Sequence, residues 1–179
     1  MLFTWHTYML SEYSRKNESL QADARDFYLA PAWVIAFVEA ERGVVHYASY
    51  TDNLDGWKFL GYCREVSNKM GGQPFTLFLD GASFHRSRDI AQELEALGIT
   101  RIINAPYSPQ YNPIEGCFSI VKNHFKRKRL HDIVNGNVTL LQRLIYQSFQ
   151  QVTPRKVQAM IRYSHGKLFS CWARRSAAD

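Results

Sequence analysis

Cysteine is scarce and badly placed for cross-linking. Cys63, Cys117 and Cys171 are odd in number, widely spaced, and never form a C-x-x-C pair. That excludes a disulfide framework and a zinc ribbon, and it points to a reducing compartment. Long apolar runs are missing as well: nothing approaches the roughly 18 residues of a membrane span, so no membrane partner is expected. Met1 is not followed by the charged and then apolar segment of a secretory signal. Internal repeats, low-complexity tracts and interdomain linkers are absent too. Acidic residues run short in one half only. Residues 101–179 carry 13 Lys and Arg against 3 Asp and Glu, a balance of +10, whereas residues 1–100 carry 9 against 13, a balance of −4. A basic half of this kind attracts a polyanion, usually a phosphate backbone. Taken alone it is equally a solvated face.

What the chain does have is core material. Of 179 residues, 46% are apolar and 14% aromatic, too many for intrinsic disorder and enough for one domain spanning 1–179. Residues 1–31 resist assignment. Trp33 to Ala40 is a β-branched and aromatic run that predicts a buried strand, and Glu41-Arg42-Gly43 turns it into a second strand, Val44 to Tyr50. Phe59, Cys63, Val66 and Met70 recur at helical spacing and stop at Gly71-Gly72. Phe75 to Leu79 predicts a short strand, and Ser87 can cap a helix bearing Ile90, Leu94 and Leu97. Thr100 to Asn104 is a further strand. A proline-bearing loop then leads to a helix striped by Ile114, Phe118, Val121 and Phe125. Two more helices come after it, one around Val138 to Phe149 and one from Thr153-Pro154 to near Gly166, which leaves 167–179 as a loose tail. Strands alternating with helices imply a mixed α/β sheet flanked by helices. In such sheets ligands gather beyond the carboxyl ends of the strands.

Asp80 sits at that edge, ending an apolar strand and followed by the small residues Gly81 and Ala82. It is either a turn aspartate or a carboxylate left open to a metal or phosphate. Glu115 falls third in a helix that Asn112 would cap and Pro113 would open, a capping-box arrangement. Holding a helix start and facing a ligand are compatible roles. Thirty-four residues separate the two acids, room for one helix, one strand and one loop, and that path returns the chain to the same sheet edge. Two carboxylates converging there form a hard oxygen site suited to Mg²⁺ or Mn²⁺, and a two-metal pair there can drive phosphodiester chemistry.

L-F-L-D-G-A-S-F-H-R-S (Leu77 to Ser87) resembles the second-acid motif of DDE superfamily transposases of the mariner and insertion-sequence type. A-P-Y-S-P-Q-Y-N-P-I-E (Ala105 to Glu115) is similar to their third-acid motif. The resemblance runs from about Tyr13 to the helix ending near Gly166. It implies an RNase H-like fold, Asp80 bridging two metal ions, Glu115 holding one of them, and cleavage and strand transfer of DNA at transposon ends and target. It leaves room for a homodimer, and for a nuclear location in a eukaryote or a cytoplasmic one in a bacterium.

One ligand is missing. The family carries a first acid on its opening strand, and residues 1–10 contain no Asp or Glu. Aligning S-E-Y-S-R-K-N-E-S with the segment downstream of that acid in relatives places the acid at or just before Met1, with Phe3 as the trailing aromatic. Asp23 and Asp26 are weaker substitutes. Weak or absent cleavage is therefore expected, and a non-catalytic, transposon-derived DNA-binding module of the same fold is the alternative. An RNase H or exonuclease is disfavoured by the proline-loop motif. His85, five residues after Asp80 as in the family motif, is read as touching a phosphate, orienting the loop, or serving structure. Lys122, Lys126 and Arg129 share one helix face, widened by Arg127 and Lys128; they suit DNA backbone contact or an ordinary basic helix end.

Overall fold

The computed structural model describes residues 2–9, 33–50, 53–137 and 139–176, with 2–9 and 171–176 as backbone only. Five strands form one sheet in the order β3-β2-β1-β4-β5: β1 (Leu2–Met9), β2 (Trp33–Glu39), β3 (Gly43–Tyr50), β4 (Phe75–Leu79) and β5 (Ile99–Ile103). The β1–β2 and β2–β3 pairs are antiparallel; β1–β4 and β4–β5 are parallel. The sheet is mixed, as expected, but its middle strand is β1, within the segment that resisted assignment.

Helices cover both faces. On one side lie α1 (Gly56–Lys69) and α2 (Arg88–Ala96). They bury Phe59, Leu60, Cys63, Ile90 and Leu94 against Ile35, Phe37, Leu77 and Leu79. On the other lie α3 (Ile114–Val134), α4 (Leu141–Phe149) and α5 (Pro154–Ser176). They bury Ile114, Phe118, Val121, Leu144 and Val157 against Val34, Ala36 and Val38. Strand β2 thus feeds alternate residues into two cores, which is why its sequence is continuously apolar rather than alternating. Each large side chain buried this way contributes roughly 1.5–3 kcal/mol.

Local signals account for most boundaries. Asp55 caps α1, its carboxylate accepting from the Lys58 N–H at 2.8 Å. That helix ends where Gly71 and Gly72 take φ of +75° and +68°, a left-handed stop that glycine supplies without strain. Two expectations are corrected. The fourth helix begins at Leu141 rather than Val138, which itself lies outside the described residues. The last helix does not close near Gly166: it runs to Ser176, so the stretch read as a loose tail is helical over most of its length. A mid-helix glycine costs about 1 kcal/mol relative to alanine, too little to break a helix flanked by good helix formers.

Candidate active site

Asp80 is the first residue beyond β4, and the turn after it is organised around its side chain. Its Oδ1 accepts from the Ala82 N–H at 3.2 Å and lies 2.8 Å from His85 Nδ1. The same imidazole nitrogen is 3.2 Å from the Asp80 carbonyl oxygen. His85 is fully buried, wedged against the rings of Phe59 (4.6 Å between centroids) and Phe84 (4.4 Å). Behind it, the Arg101 guanidinium from β5 donates to the His85 carbonyl. His85 is therefore placed to position the Asp80 carboxylate, not to meet a phosphate at the surface.

A second loop closes the site from the end of β5. Asn104, buried, donates its N–H to the Leu79 carbonyl at 2.7 Å and its side-chain amide to the Ser108 carbonyl at 2.7 Å. One residue thus ties the ends of two parallel strands to the proline loop. Tyr107, fully exposed at the tip of that loop, has φ of +55°, a left-handed conformation uncommon for a bulky residue. Between the two loops lies an open cleft of about 620 Å³, its wall including Asp80, Arg86, Asn104 and Tyr107.

Glu115 stands at the second residue of α3. Asn112 Oδ1 is 3.4 Å from the Ile114 N–H, a weak cap, and the Asn112 N–H that a capping-box glutamate would take already donates to the Pro109 carbonyl at 2.9 Å. Burial pushes the Glu115 carboxyl up to about 7, and the negative charge of Asp80 acts in the same direction. The two acids, separated by thirty-four intervening residues in sequence, therefore share one electrostatic environment.

That environment suits a divalent cation in donor chemistry: two hard carboxylates, each harmed by the other's charge, with a cation to relieve both. Among the described residues, no group of three His, Cys, Asp or Glu side chains converges on a metal position. Asp23 and Asp26 lie outside the described residues.

A family model described as DDE superfamily endonuclease matches residues 7–135, a stretch that holds both acids and the loops around them. The chain belongs to the DDE superfamily of endonucleases. No curated protein matches it. Its fold is that of RNase H-like transposase and integrase catalytic domains. The simian T-cell lymphotropic virus intasome, in complex with PP2A regulatory subunit B56 gamma, aligns with a TM-score of 0.57 and 12% identity over 83% of this chain and 46% of that one. The Mos1 transposase catalytic domain, solved with raltegravir and Mn, aligns at 0.50 and 10% over 91% and 82%. The Mos1 mariner paired end complex with Mn aligns at 0.54 and 10% over 91% and 55%. This chain thus spans about half the length of the intasome chain and of the chain in the paired end complex.

Within this DDE domain, α3 carries the basic residues away from the acids. Lys122, Lys126 and Arg129 succeed Glu115 along the helix at rises of about 10, 16 and 21 Å, flanking the buried stripe of Phe118, Val121 and Phe125, with Lys122 and Arg129 half-buried. Lys122 is partly buried; desolvation, then the neighbouring Lys126, hold its ammonium below the usual lysine range. Lys126 and Arg127 are exposed, the latter donating from Nε to the Asn123 carbonyl at 3.3 Å. Lys128 is committed elsewhere. It lies 2.8 Å from Asp132, whose carboxyl it holds down at about 2, so the ridge is narrower than the sequence implied.

Three residues of the site were not singled out from sequence. Arg86 hangs over Gly81, where an added Cβ would come within 3.1 Å of its Nη2. Arg101 and Asn104 brace the two loops. Arg101 had a signal, a lone charge inside an apolar strand.

Proposed function

We propose that this chain is the catalytic domain of a DDE-type transposase or integrase, directed at DNA phosphodiesters, whose cleavage and strand transfer are weak as the chain stands. The observation that carries this is the pairing of Asp80 and Glu115: two mutually repelling carboxylates from separate elements, the first of them lining an open cleft at the strand ends. The Mos1 neighbours solved with Mn and with Mg support a divalent ion, for which Asp80 and Glu115 are the candidate ligands. Bound there, such an ion supplies charge neutralisation and activation of a water or a 3′-hydroxyl. The chain's own residues do the rest. His85 and the Ala82 N–H fix the Asp80 carboxylate, Arg86 faces phosphate in the cleft, and Lys122, Lys126 and Arg129 hold the duplex backbone without reading bases. The neighbouring Mos1 paired-end complex with its left transposon end supports mobile-element DNA as the partner. The site of action proposed is the nucleus in a eukaryote or the cytoplasm in a bacterium.

That no group of three metal-ligating side chains is found among the described residues favours a second reading, a DNA-binding module that keeps the fold without the chemistry. Nicking of supercoiled DNA in Mn²⁺ separates the two. Slow nicking abolished in Asp80→Asn supports the enzyme. Nicking that survives Asp80→Asn sinks it, and no nicking with salt-sensitive DNA binding unaffected by Asp80→Asn establishes the module.

A further inference from the structure

Strand register points to where a third ligand beside Asp80 and Glu115 belongs. Leu2 pairs with Leu77 and Phe3 with Phe78 across the parallel β1–β4 ladder, a constant offset of 75 residues. Carried forward, the offset sets residue 5 level with Asp80. The register shift in the β1–β2 ladder falls between His6 and Tyr8, beyond this point. Neighbouring strands lie about 4.8 Å apart, so at the offset of the two recorded β1–β4 pairs the backbone of residue 5 would stand about one strand spacing from that of Asp80.

The face agrees as well as the level. Trp5 pairs with Ala36 and Phe3 with Val38 across the antiparallel β1–β2 ladder. Directly opposed residues share a face of the sheet. Ala36 and Val38 belong to the core beneath α3, whereas Ile35 and Phe37 belong to the opposite core. Position 5 is therefore on the face that α3 covers, the helix bearing Glu115. Phe78 packs against that same core, and strand alternation carries Asp80 to the same side. Thr4 and His6 occupy the other face by the same alternation.

We infer that residue 5 of β1 is the third corner of the acidic site, and that tryptophan there leaves a divalent ion one oxygen ligand short. This rests on the reading of Asp80 and Glu115 as metal ligands, and it moves the missing position inside the chain. The sequence alignment puts the missing acid at or just before Met1, which lies outside the described residues. The deficit is then a single side chain, and Trp5→Asp restores the third oxygen donor.

Two measurements on the full chain test it. The first titrates Mn²⁺ alone, reading free Mn²⁺ by electron paramagnetic resonance, with folding monitored by circular dichroism. Trp5→Asp is expected to bind Mn²⁺ about tenfold or more tightly than Trp5→Ala, since affinity tracks the charge count of the ligands. Adding Asp80→Asn to Trp5→Asp is expected to abolish the gain. A folded Trp5→Asp that binds no tighter than Trp5→Ala, or a gain that survives Asp80→Asn, overturns the inference. The second needs no metal: oxidation of the Trp5→Cys, Asp80→Cys pair is expected to give an intramolecular cross-link that the Leu2→Cys, Asp80→Cys pair, offset by three residues along the ladder, does not. The reverse pattern overturns the register even where Trp5→Asp fails to fold. Tight Mn²⁺ binding by Trp5→Asp without any DNA cleavage would leave this inference standing and sink the nuclease reading instead.

Discussion

The His85 imidazole touches Asp80 twice with one nitrogen, Nδ1 standing 2.8 Å from the carboxylate Oδ1 and 3.2 Å from the main-chain carbonyl oxygen. A fully buried ring thereby fixes both the side chain and the backbone of the acid that ends β4. Replacing it with alanine empties a space between Phe59 and Phe84 and releases the carboxylate. His85→Ala is expected to cost about 2–4 kcal/mol in urea unfolding. DNA affinity of the remaining folded protein should hold. A variant of native stability with weakened DNA binding would return His85 to the phosphate-contacting role.

Glu115 makes stability depend on pH in an unusual direction. Its carboxyl ionises near 4.5 in the unfolded chain and near 7 in the folded one, so the folded state keeps a proton across that window that the unfolded state has lost. Stability is full below about 4.5, declines as pH rises toward 7, and levels off above. Glu115→Gln removes the decline. It is expected to exceed the parent at pH 8 by roughly 1–3 kcal/mol, solvent screening setting the lower figure, and to match it at pH 4. Parallel pH profiles for the two proteins would show that Glu115 is solvated and uncoupled from Asp80.

The acid-bearing helix is seated by its neighbour Gly116. A Cβ there would lie 2.3 Å from Met160 Sδ and 2.8 Å from its Cγ, so α3 and α5 meet at this residue. Helix propensity favours alanine by about 1 kcal/mol, and overpacking opposes it by roughly 1–3 kcal/mol. Gly116→Ala is expected to lower the melting temperature, and Met160→Ala in the same chain to recover part of the loss. Strict additivity of the two changes would show that Met160 swings aside at no cost.

Salt dependence distinguishes the cations of α3. Lys126→Ala and Arg129→Ala should each weaken DNA binding uniformly across sequences and lower the slope of log affinity against log salt by about one. Lys128→Ala should leave that slope alone and lower thermal stability, because Lys128 is the partner of the buried Asp132. Equal slopes for all three variants would place Lys128 back on the DNA.

Sequence patterns carried the elements from Trp33 onward because each has a local cause. Leu77 and Leu79 face the core under α1 and α2 and Phe78 the other, so β4 is apolar throughout, and Ile90 and Leu94 mark one face of α2. The acids were legible for a similar reason: Asp80 terminates an apolar run, and Glu115 comes just after a proline that opens a helix. Strand β1 was not, since T-W-H-T-Y lacks both a continuous apolar run and a clean alternation, and its place is set by partners at residues 33–39 and 77–78. His85 was visible as a histidine, but its burial depends on Phe59, distant in sequence. Arg101 and Asn104 gained their roles only when β5 came to lie beside β4.

The strand at the middle of the sheet is also the one made first. During synthesis β1 can zip to β2 early, yet its other edge stays bare until residues 75–79 leave the ribosome. Parallel closure over such a distance in the chain is slow, and an open strand edge invites strangers. The nascent protein therefore passes through a stage in which half a sheet waits for its missing partner, the interval in which a chaperone would matter most.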